Sequence, residues 1–384
     1  MPLSALPLGS SIDAYAAQAD HLLDEWGNGE SWAIEVFHRR HPQFLDEKIK
    51  WLPKRLSPDD IRAAALTRDD ARLAVARWYD FLDWDSLQVY ADTVRQSSSL
   101  VARFEAAVEA VIGGDMAALS RLLAMDRDLV RARSTRKNYF EPPAHRATLL
   151  HYVAANGVED YRQKTPPNAV DIARTLLEAG ADPDALADMY GGQCTTMSML
   201  ASSGHPAQAG VQGALIDALV DYGASVDARG GGNWTSPLFT ALLFGFEDAA
   251  RALARRGARI DTLAAAAGLN QSDAFARLLP SATPGDRHRA LAIAAQLGHA
   301  DVVRRLIDAG EDPNRYNPPG THAHATPLHQ AALGGHLDVV KVLVERGARI
   351  DIRDTIYQGT PLGWAEHGER PDVVEWLRSR DAAS

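Results

Sequence analysis

The chain has a single cysteine, Cys194, in 384 residues. A lone thiol forms no disulfide within the chain, which points to a reducing compartment. Long apolar runs are missing too, and no stretch approaches the roughly 20 residues that cross a bilayer. The opening MPLSALPLGSSIDAYAAQ has no basic segment, and prolines break its apolar run. It does not read as a secretory leader. Positive charge is in short supply: 40 Lys and Arg face 50 Asp and Glu, a net of −10. General nucleic-acid binding wants a basic face, so that class is disfavoured, although a local basic strip is not excluded. These absences describe a cytoplasmic chain with neither a membrane nor a nucleic acid as partner.

Catalytic signatures are equally scarce. There is no G-x-S-x-G, no G-x-x-x-x-G-K-[ST] and no H-E-x-x-H. Gly230-Gly-Gly232 lacks a following helix signal and reads as a flexible fingertip. His322-Ala-His324 could supply two metal ligands, but one cysteine and no nearby partner pair fall short of a four-ligand site. No metal and no cofactor are expected.

What is present is a phrase repeated five times: Gly180-Ala-Asp-Pro-Asp184, Gly223-Ala-Ser-Val-Asp227, Gly257-Ala-Arg-Ile-Asp261, Gly310-Glu-Asp-Pro-Asn314 and Gly347-Ala-Arg-Ile-Asp351. Each follows a Leu-rich amphipathic stretch. The physical reading is a helix that stops at a glycine able to take the left-handed conformation. The spacings are 43, 34, 53 and 37 residues. A period near 33 or 34 with insertions marks stacked helical repeats. An apolar content of 46% with 23% charge suits a soluble, folded array.

Thr326-Pro-Leu-His329 opens TPLHQAALGGHLDVVKVLVERGARID, and Thr360-Pro-Leu362 opens the next unit 34 residues on. The pattern TPLHxAAxxGH…VVxxLxxxGAxxD resembles the ankyrin repeat. Thr148-Leu-Leu-His151, Thr195…Gly204-His205, Ser236-Pro-Leu238 and Leu291…Gly298-His299 are similar with more drift. Residues 263–283 read as a shortened unit and residues 98–134 as an N-terminal capping unit. The resemblance implies an all-α ankyrin-repeat solenoid of seven or eight helix-turn-helix units over residues 98–384. A solenoid offers an extended concave surface and biases function toward binding. Thr or Ser can cap each inner helix, with Pro in its first turn. Ala294-Ala295 and Ala331-Ala332 let paired helices approach closely. His151 and His329 stand at the repeat's own His position, where they are expected to bond backbone between repeats.

Residues 1–97 differ. Helical spacing over 12–26 and 30–40 stops at His41-Pro42, 46–56 reads as a linker or short turn, and two short helices flank Asp83-Trp84-Asp85. This region resembles the helical N-terminal module of a group of bacterial ankyrin-repeat proteins, through Trp26, Gly29, Ala33, Phe37, His41, Pro42, Asp70, Ala71, Ala76, Tyr79, Phe81, Trp84 and Leu87. Its aromatics are expected to form a core and to dock on the first repeat.

Two insertions, 156–168 and 202–212, depart from the two to four residues that join helices in a plain unit. They are expected on one edge of adjacent layers and in contact, bringing together Asp160, Tyr161, Arg162, Gln163, Lys164, His205 and Gln212, with Tyr190 from the finger between them. Arg162 is expected to face Asp160, Tyr190 or a backbone carbonyl. One reading makes these residues the internal ties of a long loop. The other makes them a shallow site for a small polar ligand. A second candidate surface is the fingertips, which carry Arg136, Tyr139, Phe140, Tyr190, Trp234, Tyr316 and Tyr357, residue types that dominate binding energy in protein interfaces. The sequence therefore supports non-catalytic recognition of a protein partner through the fingertips and the concave face. A small-molecule binder or non-standard enzyme built on the inserted loops is the alternative.

Overall fold

The computed structural model describes residues 2–140, 143–154, 157–232 and 234–381. Among them lie 22 α-helices, and helix accounts for 58% of the chain. The architecture is an all-α ankyrin solenoid with a helical N-terminal region. The helices of that region are α1 (Ile12–Gly27), α2 (Ser31–Arg40), α3 (Pro58–Arg62), α4 (Arg68–Trp78) and α5 (Trp84–Arg95). Local chemistry fixes their starts. Ser57 with Asp60, and Thr67 with Asp70, form reciprocal capping boxes at α3 and α4. The segment after α2 closes into a loop in which Leu45 pairs with Pro53.

Helix pairs follow: α6 (Leu100–Gly113) with α7 (Met116–Met125), and α8 (Leu149–Val153) with α9 (Ala169–Glu178). The third pair carries an extra short helix, α10 (Thr196–Ser202), α11 (Gly204–Gln208) and α12 (Gln212–Asp221). Then come α13 (Pro237–Leu243) with α14 (Glu247–Arg255), and α15 (Leu263–Gly268) with α16 (Ser272–Leu278). The series continues through α17 (Pro284–Gln296) with α18 (Ala300–Asp308) and α19 (Pro327–Gly334) with α20 (Leu337–Glu345). It ends with α21 (Pro361–His367) and α22 (Pro371–Asp381). The five phrase glycines sit at φ between 92° and 96°, each just past an outer helix, so the sequence-level stop signal is the physical one. His151 reaches the Cys194 carbonyl at 3.4 Å and His329 reaches Gly359 at 3.1 Å, tying each repeat to the next.

Strands are few and short. β1 (Ala187–Met189), β2 (Gly192–Cys194) and β3 (Gly231–Gly232) pair antiparallel in that order. This corrects the reading of Gly230-Gly-Gly232 as a flexible tip. Gly231 and Gly232 pair with Gln193 and Gly192, and a Cβ on Gly230 would lie 2.0 Å from the Gln193 carbonyl. Only glycine permits that approach.

The chain divides into two compact units, Met1–Trp234 and Thr235–Ser384. In the first, a core of buried residues between Leu8 and Ala91 includes Tyr15, Phe37, Tyr79 and Phe81, and Tyr161 of the repeats packs on it. The Tyr161 ring lies 5.1 Å from Tyr79 and 5.8 Å from Trp78. In the second, a continuous apolar core runs from Leu263 to Leu377.

Candidate functional site

In the first unit, charge gathers where α6, the fingertip after the first pair and the loop before α9 meet. Glu105 and Glu109 are four apart on α6 and so share a helix face. The 3₁₀ turn Gly157–Arg162 kinks at Glu159 (φ −129°, ψ 59°), which brings Glu159 inside at 2% exposure. Arg162 donates from Nε to Glu159 at 2.7 Å, and from Nη1 to Glu105 at 2.7 Å and Glu109 at 2.8 Å. Arg136, 1% exposed, lies 3.0 Å from Glu159 and donates to the Tyr79 carbonyl at 2.6 Å. Its guanidinium also stacks 4.4 Å over Phe81. Tyr152 donates to Glu159 at 2.9 Å, and His145 lies 3.2 Å from the same oxygen.

Burial alone would raise the Glu159 carboxyl, but Arg136 and Arg162 beside it hold it well below the usual carboxylate range. Beyond Arg136, burial pushes Asp80 up to about 8, against the pull of Arg40 and Arg136. The cluster is therefore a mutual neutralisation of buried ions. Arg162 faces three carboxylates and is not presented as a grip for an anion. A cleft of about 440 Å³ opens beside it, walled by Leu6, Leu8, Val94, Ala102, Glu109 and Arg162 among others.

The inserted-loop candidates separate here. Arg162 does not face Asp160, Tyr190 or a carbonyl, because Glu105, Glu109 and Glu159 compete for it with full charge. Asp160 is exposed and lies 3.6 Å from Arg40. Tyr161 packs into the N-terminal core, and Lys164 is exposed. Gln163 lines a small interior cavity with Met189 and Met199, so the first loop meets the third repeat there. Gln212 is buried and donates to the Leu200 and Ser203 carbonyls, an internal tie of its own loop. His205 is half-buried in α11. Asn156, the first residue of the 156–168 insertion, lies outside the described residues.

The fingertip candidates divide by burial. Arg136 is not at a tip at all, since its partners draw it inside. Tyr139 and Phe140 stack at 4.3 Å and are half-buried, with Arg40 donating to the Tyr139 hydroxyl at 2.9 Å. Tyr190 is 44% exposed and meets the ring of Trp234 at 6.1 Å, while Trp234 donates to the Met189 carbonyl at 3.0 Å.

In the second unit Tyr316 is 41% and Tyr357 54% exposed. The Tyr316 hydroxyl donates to the Arg353 carbonyl at 2.7 Å. His324, half-buried, lies 6.0 Å from Tyr357 and 5.7 Å from Trp364. Asp354, fully buried, accepts from the backbone of Tyr357, Gly359 and Ile356 and from the Trp364 indole, and these bonds, that of Tyr357 foremost, hold its carboxyl below its usual range despite burial. Sequence reading missed Asp354, Glu105, Glu159 and Asp80. Among the described residues no three His, Cys, Asp or Glu side chains gather as a metal site, and no helix is long and apolar enough to cross a membrane.

Comparison with known proteins fits this architecture. A family profile described as "Ankyrin repeats (3 copies)" matches residues 262–354 and 291–383. Human cyclin-dependent kinase 4 inhibitor B is 32% identical over 124 residues, covering 25% of this chain and 89% of that protein. An ankyrin repeat-containing protein of Schizosaccharomyces pombe is 47% identical over 62 residues, 16% of this chain and 28% of its own length. Ankyrin repeat and SAM domain-containing protein 6 of Mus musculus is 31% identical over 110 residues, 29% of this chain and 12% of its own. The chain thus spans under a third of the latter two relatives, and all three are eukaryotic, so the bacterial affiliation gains nothing from them. Repeat phrase, helix pairing, inter-repeat histidines and these similarities agree, and the chain belongs to the ankyrin-repeat family.

Proposed function

We propose that this protein is a non-catalytic, cytoplasmic recognition protein that docks a folded protein partner on the fingertips of its second unit. The observation that carries the reading is the Tyr316–His324–Tyr357 surface. Tyr316 and Tyr357 are exposed and His324 is half-buried, yet the hydroxyl of Tyr316 and the Asp354 turn fix them before any partner arrives. Aromatic anchors held rigid in advance lose little entropy on binding. The inner-helix face of the same unit would extend the contact. Tyr190 and Trp234 form a second, smaller tip of the same kind on the first unit. Residues 1–97 serve in this reading as a helical module packed on the array over 98–384. Cyclin-dependent kinase 4 inhibitor B is named as an inhibitor of a protein kinase, and nearly its whole length is matched here. That supports a repeat array of this kind as sufficient to engage a folded protein. The small-ligand alternative is weakened by the closed carboxylate set around Arg162.

The test is capture from native lysate by the whole chain and by a Tyr316→Ala/Tyr357→Ala variant, with mass spectrometry of bound proteins and small molecules. A specific protein should be retained by the parent chain and bind the variant about tenfold more weakly, as expected for lost anchor residues, with melting unchanged. Equal retention by both chains, or recovery of a small molecule alone, would reject the reading.

A further inference from the structure

The chain holds only six lysines, and three of them, Lys48, Lys50 and Lys54, fall within seven residues. Trp51 stands among them. Of the eight tryptophans it is the one that is exposed among the described residues, at 59%. Tryptophan is ordinarily well covered, so an exposed ring flanked by cations is not what core packing produces.

The loop that carries them is built. Asp46 donates its N–H to the Leu52 carbonyl at 2.8 Å, and Lys54 to Phe44 at 2.7 Å. The Asp46 carboxylate accepts from the N–H groups of Lys48 and Ile49, both at 2.8 Å. His38 lies 2.7 Å from the Lys54 carbonyl, and the Lys54 ammonium donates to Gln43 at 2.9 Å. These bonds hold the loop on α2 and leave Lys48, Lys50 and Trp51 facing solvent. Neither Lys48 nor Lys50 forms a salt bridge among the described residues, and the one carboxylate that Lys48 feels, Asp46, is already occupied by the N–H groups of Lys48 and Ile49.

We infer that the 46–55 loop is a docking site for an acidic peptide segment of another protein, with Lys48 and Lys50 meeting carboxylates and Trp51 covering an apolar residue between them. Charge decides the class of partner. The chain as a whole is acidic, with a net of −10, so an acidic segment is drawn to local basic islands such as this loop rather than to the surface at large. An anionic bilayer is the poorer fit. Polybasic membrane sites use about four to eight Lys or Arg, whereas Asp46 and Glu47 leave this loop a net of two positive charges. A duplex nucleic acid needs a broader cationic face than one loop presents. The site is independent of the fingertips and stands or falls separately from them.

The probe is a fluorescent octapeptide of Asp and Glu with two leucines, titrated into the full-length chain by anisotropy. Binding should weaken at least about tenfold in Lys48→Glu/Lys50→Glu and fall as salt rises from about 50 to 200 mM, as charge-paired interfaces do. Trp51→Ala should weaken it about threefold or more, from lost apolar cover. The double reversal should instead take up a lysine-rich peptide of the same length, which a misfolded loop would not. Lys341→Glu, far along the chain, should leave affinity unchanged. No saturable binding, equal binding by the double variant, or tighter lysine-dependent binding to phosphatidylserine vesicles or duplex DNA would overturn the proposal.

Discussion

At the scale of single residues, the decisive event is the removal of two arginines from water. Arg136 and Arg162 read as surface groups because isolated arginine is rarely buried. Their carboxylates make burial tolerable, and the arrangement makes either partner expensive to lose. Arg162→Ala leaves Glu105 and Glu159 buried with one cation fewer and should cost about 3–5 kcal/mol. Urea titration of the purified chain measures it, and a loss under about 1 kcal/mol would show that the cluster is hydrated. Asp80 makes an opposite statement. Its folded carboxyl titrates near 8, above the roughly 3.9 of an unfolded chain. Between those values the folded state keeps a proton that the unfolded state has released. Stability from this group is therefore full at low pH and is lost as pH rises toward 8. Asp80→Asn should flatten that slope, and denaturation of both chains at about pH 6 and pH 9 shows whether it does.

At the scale of the element, the repeat works through its two ends. Gly347 sits at φ 95° beyond α20, and nothing lies within 4 Å of a Cβ placed there. Gly347→Val therefore meets no clash, only the left-handed backbone, and should cost about 1–2 kcal/mol. An unchanged melting curve would contradict the assigned helix end. At the other end, the inter-repeat histidines are buried neutral. Burial pushes His151 down to about 4, so the folded state refuses a proton that the unfolded chain accepts near 6.5. Its contribution is present above about pH 6.5 and is lost as pH falls toward 4. His329 shifts the same way, again chiefly through burial. His151→Gln should reduce the acid-side slope of thermal stability, and a slope as steep as the parent's would assign the effect elsewhere. Helix ends and caps were legible in the sequence because they depend on residues within about four positions of each other. The Asp354 turn was not, since nothing in Asp354-Thr-Ile-Tyr357 announces that the carboxyl points inward to collect four backbone or indole donors.

At the scale of the whole molecule, the chain forms two compact units, Met1–Trp234 and Thr235–Ser384. The N-terminal helices share the first unit with the opening repeats because Tyr161 and Arg136 enter their aromatic core. The second unit has an apolar core contained between Leu263 and Leu377. Residues 235–384 produced alone should therefore give a helical circular dichroism spectrum and a cooperative thermal transition, as a stack of three or more repeats does. A featureless melt would mean that this core depends on the preceding residues.

The sequence by itself determined the fold class, the period, the helix stops and the inter-repeat histidines. Each of these rests on local steric and hydrogen-bonding rules that act within one repeat or between neighbours. Tertiary structure alone decided which polar residues became interior. Glu105 lies 57 positions from Arg162, and Tyr79 lies 57 from Arg136. No local pattern encodes such pairs, and the physical reason is desolvation. Arg162 enters the interior where Glu105 of a distant helix and Glu159 of its own turn meet it, an arrangement that favours the internal-tie reading of the inserted loops over the ligand-site one.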